Sequence, residues 1–153
     1  MWHATSMSRP SVFEFAGGAD AFRALAEAHH ARCLADPVLD HPFSRGVHPE
    51  HVQRLADYWG EVFGGPARYR PGHSGMLAVH SGAEPGDGMG ERFVACFVAA
   101  ADDAGLPADP EFRAVLRAYM EDAVAEVFAH GLHRPPAADG LPTPRWDWTG
   151  RRA

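Results

Sequence analysis

The sequence predicts an all-α protein, and three observations carry that prediction. Apolar residues recur at three- and four-residue steps in four separate stretches. Glycine and proline punctuate the ends of those stretches, and no alternating polar–apolar run reads as a strand. With 153 residues, one domain is the natural count. A chain of this length buries roughly 70% of its unfolded surface, which is enough for a sizeable core.

Residues 1–12 read as a loose arm. Phe13 to Ala16 is a short helical turn that Gly17-Gly18 breaks, because paired glycines disfavour helix continuation. From Ala19 to Ala35 the stripe Phe22, Leu25, Ala26, His29, Cys33 is helical, and Asp36-Pro37 stops it. Residues 38–48 are irregular and hold a lone aromatic, Phe43. His48-Pro49-Glu50 then reads as a helix start, with proline in the first turn. That helix runs to about Phe63. Its stripes are Val52, Leu55, Trp59, Phe63 and, flanking them, His51, Leu55, Tyr58, Val62. Gly64-Gly65-Pro66 is a strong stop. A looped bridge follows, closing with Met76-Leu77-Ala78-Val79-His80.

Beyond a glycine-dense turn, a helix of about Met89 to Ala104 points Phe93, Val94, Phe97, Val98 and Ala101 inward. Asp109-Pro110-Glu111 opens the last long helix as cap, proline and acid. Its stripe runs from Phe112 to Val127, Gly131 ends it, and its charged residues Arg113, Arg117, Glu121 and Asp122 read as a solvated face. The expected division is an arm at 1–12, a helical domain at 13–131 and a proline-rich tail at 132–153. The tail reads as an arm or linker, although Trp146 and Trp148 suggest that it packs.

Composition narrows the function. The net charge is −6, and no basic block precedes the last three residues, so clustered phosphate contacts are not to be expected. No apolar run is long enough to cross a membrane, and the N-terminus lacks a basic-then-apolar leader pattern. Cys33 and Cys96 form no Cys-x-x-Cys pair, which fits a reducing cytoplasm and argues against a disulfide scaffold. Gly86-Asp87-Gly88-Met89-Gly90 lacks the strand and the Lys-Ser/Thr of a phosphate loop.

The ten histidines are the unusual feature, since imidazole is both the commonest metal ligand and a proton carrier near neutral pH. His3, His130 and His133 lie in or near the tails, and His41 and His48 in the irregular segment; the default for all five is an idle, exposed side chain. His29 and His30 point about 100° apart on one helix, so both cannot face fully inward, and either could be a satisfied core histidine. His51 flanks an apolar stripe, His73 sits in a glycine-rich turn, and His80 ends an apolar segment. Each is weak evidence alone.

Their order resembles the truncated haemoglobins, specifically the second group, over about residues 12–130. The residues that carry the resemblance are Phe13 with Gly17-Gly18, then Asp36-Pro37-Val38-Leu39 with Phe43, then Tyr58-Trp59, Gly64-Gly65-Pro66, Tyr69, Gly72-His73 and His80. The resemblance implies a two-over-two helical sandwich around haem b, with His80 as the proximal iron ligand. One protein ligand leaves the opposite position open for a gas. It further implies a distal wall of His30, Phe43, His51, Leu55 and Phe93. Arg54, Tyr69 and His73 would be propionate partners, with Tyr58 and Met76 as further haem contacts. The gas would be O2, NO, CO or peroxide.

Three departures stand out: His30 replaces the family's tyrosine, Phe93 replaces its tryptophan, and the usual Phe-x-Ile after His80 is missing. Imidazoles are therefore expected to bond the ligand, with His30 or His51 as a candidate distal acid–base group or sixth iron ligand. Turnover of NO or peroxide would need a separate reductase, because nothing in the chain binds flavin or nicotinamide. A homodimer is left open. Two other readings compete. One is a zinc or nickel hydrolase or transferase using His29 or His30 with His51 and His80; the other is a non-catalytic haem gas sensor.

Overall fold

The computed structural model describes residues 9–39, 49–69, 88–133 and 143–152. Among them are helices α1 (Val12–Ala16), α2 (Ala19–Ala35), α3 (His51–Val62), α4 (Met89–Asp103) and α5 (Pro110–His133), with strands β1 (Trp146–Asp147) and β2 (Gly150–Arg151). The four long helices form a two-over-two sandwich, in which α2 packs on both α3 and α4, and α4 packs on α5. Aromatic side chains fill the space between them. Phe22, Phe63, Phe97 and Phe112 are all fully buried, and Phe22 stacks on both Phe13 and Phe63 with ring centroids 5.6 and 5.8 Å away.

Local chemistry explains the boundaries. Ser11 and Glu14 close a capping box at the start of α1. Asp36 ends α2 by accepting from the Val38 amide at 2.8 Å, and Arg92 of α4 reaches the same carboxylate at 3.1 Å. Asp109 caps α5 through the Phe112 amide at 2.9 Å.

The Gly-Gly-Pro stop is also a packing site. Gly64 has φ +103, in the left-handed region. A Cβ on Gly65 would lie 2.6 Å from the Phe13 ring and 2.7 Å from the Gly60 carbonyl oxygen. The Phe13 amide in turn donates to the Phe63 carbonyl at 2.9 Å. The opening aromatic and the Gly-Gly turn, separated by fifty residues of chain, are thus in direct contact.

Three expectations need correction. The helix read as starting at His48-Pro49 begins at His51, so Pro49 precedes it. The last long helix runs through Gly131 to His133, because one glycine weakens a helix without ending it. Residues 143–152 are not a free arm. They include the antiparallel pair Trp146↔Arg151 and Asp147↔Gly150, with the Trp146 indole buried against Tyr119 at 5.7 Å.

Candidate functional site

The histidines on α2 and α3 meet. His29 is 1% exposed, and its ring lies 4.6 Å from Phe93 and 5.5 Å from Trp59. Next to it, half-buried His30 faces His51 across the α2–α3 contact, with ring centroids 5.0 Å apart. Leu55 lies one turn beyond His51 on α3 and is also half-buried, as is Phe93 on α4. Phe93 thus meets His29 from α4, and His51 meets His30 from α3. The question left open between the adjacent histidines is resolved: His29 is the core residue, and His30 is half-buried against His51.

Burial sets the protonation of this group. It pushes the His29 imidazole down to about 4, with the neighbouring His30 and His51 adding to the shift and a hydrogen bond to the Phe93 backbone opposing it. Burial also lowers His30 below its ordinary range. The Cys33 thiol, pushed up to about 12 by burial, stays protonated 3.5 Å from His29 Nε2. His29 is therefore neutral near pH 7, and burial biases His30 the same way. That chemistry suits an uncharged, flat, aromatic group and fits one face of a haem, since neutral imidazole both donates and accepts.

The other predicted contacts divide. Tyr58 is buried, and its ring meets Tyr69 edge-on at 5.0 Å. The Tyr69 amide donates to Glu61 at 3.4 Å. Arg54 is exposed. Phe43, His73, Met76 and His80 lie outside the described residues. Among the described residues, no three His, Cys, Asp or Glu side chains are grouped so as to hold a metal ion.

Sequence reasoning missed Arg145. Its Nη1 donates to the Glu61 carbonyl at 2.8 Å and to the Gly65 carbonyl at 3.4 Å. An arginine in a proline-rich stretch carries no periodic signal, so nothing in the sequence marked it.

The helix order, the two-over-two packing and the Gly-Gly turn locked on Phe13 define a truncated globin fold. A family model described as bacterial-like globin matches residues 11–129, most of the chain. The chain belongs to that family, and membership implies a haem cofactor and gas ligands such as O2.

Solved structures agree. A haemoglobin from the thermophilic phototrophic bacterium Chloroflexus aurantiacus is 29% identical with a TM-score of 0.67, covering 78% of this chain and 98% of its own. A thermostable haemoglobin from the actinobacterium Thermobifida fusca is 28% identical with a TM-score of 0.65, over 78% and 97%. The group II truncated haemoglobin of Bacillus anthracis shares the fold at 20% identity and a TM-score of 0.66, over 78% and 96%. No curated protein matches the chain. No helix among the described residues is long and apolar enough to cross a membrane.

Proposed function

We propose that the chain is a cytoplasmic haem b protein that holds a diatomic gas, with His80 as the proximal ligand and His30 and His51 as the hydrogen-bonding residues of the distal wall. The observation that carries this reading is the 5.0 Å contact of the half-buried His30 and His51 rings, with Phe93 packed on the neighbouring His29. The assignment of His80 rests on its place after the Gly-Gly-Pro bridge, as do the roles of Phe43, His73 and Met76. Haem, when bound, supplies the iron for the gas. The chain's own part is to exclude water with Leu55 and Phe93, and to offer a neutral imidazole N–H toward the ligand.

Arg54, Tyr69 and His73 complete the reading as partners of the propionates. The imidazole pair also supports redox turnover of NO or peroxide, with His51 or His30 passing a proton and a separate reductase supplying electrons. One of the two can further serve as sixth iron ligand when no gas is present.

Ferric absorption spectra test these roles together. Six-coordinate low-spin iron in the gas-free protein, lost in His51→Ala or His30→Ala, supports internal ligation; a purely high-spin, water-bound spectrum rules it out. His80→Ala should abolish proximal ligation, and an unchanged spectrum in that variant would overturn the assignment.

A further inference from the structure

The chain carries a C-terminal addition that the matched globin region, residues 11–129, does not include. Residues 143–152 return to the helical body at four places, three of them through Trp146, Trp148 and Arg151. Trp146 is buried on Tyr119. Trp148 sits edge-on to Phe15 at 5.1 Å, donates to the Pro10 carbonyl at 2.8 Å and is covered by Arg9, whose guanidinium lies 3.6 Å from the ring centroid. Arg151 pairs with Asp122 on α5 at 2.9 Å.

The fourth contact is of a different kind. Arg145 bonds the peptide backbone at the end of α3, the helix's negative pole, where the Glu61 carbonyl also accepts from the Gly64 amide at 3.2 Å. One nitrogen serves both the Glu61 carbonyl and the Gly65 carbonyl, so it spans the helix end and the Gly-Gly turn. From the same last turn, the Glu61 side chain accepts from the Tyr69 amide.

We propose that Arg145 is a positioning residue for the haem pocket: acting through Glu61 and Gly65, it holds the end of α3 and the first bridge residues, up to Tyr69, in the geometry the pocket needs. The hairpin's two tryptophans anchor the arginine. The proposal rests on the haem reading above, because Tyr69 is placed there at the propionate edge.

The test compares wild type with Arg145→Gln, Arg145→Lys and Leu116→Ala, the last a buried α5 core variant that serves as a stability control. In the haem-free proteins, amide hydrogen exchange is read at residues 62–69. In the haem-loaded proteins, the rate of haem loss to an excess of a haem-free scavenger globin is read. Arg145→Gln should speed both by roughly tenfold, the factor expected for a hydrogen bond from a charged donor. Arg145→Lys should recover part of the effect, and Leu116→Ala should not single out residues 62–69.

Unchanged exchange at 62–69 in Arg145→Gln overturns the proposal. So does haem loss no faster than in a Leu116→Ala protein of equal stability, which would make the contact purely structural. Failure of wild type itself to take up haem would sink the functional reading and with it the pocket role, while the exchange measurement would still report on the grip itself.

Discussion

His29 is the residue on which the pocket's acid stability turns. Its ordinary value is 6.5, and burial among Trp59, Phe93 and Phe97 lowers it to about 4 in the fold. Below pH 6.5 the unfolded chain takes up a proton that the folded one refuses, so stability falls as pH drops from 6.5 to about 4 and then levels off. The loss amounts to about 3 kcal/mol. Urea titrations across this range should show it, and His29→Leu should remove that part of the pH dependence; an equal slope in both proteins would contradict the assignment. In the proposed function His51 acts differently, as a donor to the bound gas. Its replacement by alanine should speed gas dissociation about five- to tenfold, the worth of one hydrogen bond, while haem stays bound. Stopped-flow dissociation rates check this.

At the scale of elements, the Gly-Gly turn is the most constrained joint. Gly65→Ala drives a methyl group into the Phe13 ring and the Gly60 carbonyl, and backbone cannot give way cheaply. The expected cost is about 2 kcal/mol, read as a lower denaturation midpoint. Most elements were legible in the sequence where strong stop signals bound them: Gly17-Gly18 and Asp36-Pro37 frame α2, and Asp109-Pro110 opens α5. The start of α3 was not, because proline suits both the first turn of a helix and the turn before it. The inward choice of His29 over His30 was half legible: His29 falls on the stripe Phe22, Leu25, Ala26, His29, Cys33 that the fold buries, but a stripe position alone does not tell a buried imidazole from a surface one. The pairing of His30 with His51 depends on how two helices cross, which no local pattern encodes.

For the whole molecule, the tail closes the structure. Trp146 is 8% exposed and touches Tyr119, a residue that also contacts Phe63 and Phe97, so the hairpin extends the aromatic core. Removing residues 143–153 should lower stability by about 3 kcal/mol or more, the cost of deleting a buried tryptophan, and thermal melts will show it. Proline-rich composition hid this, since burial of Trp146 is a long-range property.

In the proposed function, the globin fold holds haem between the imidazoles of α2 and α3 and the segment that carries His80. The most direct test of that reading is the absorption spectrum of the protein purified with haem precursor supplied. The expected result is a stoichiometric haem protein whose spectrum shifts on adding CO or O2. A colourless protein containing stoichiometric zinc would contradict it.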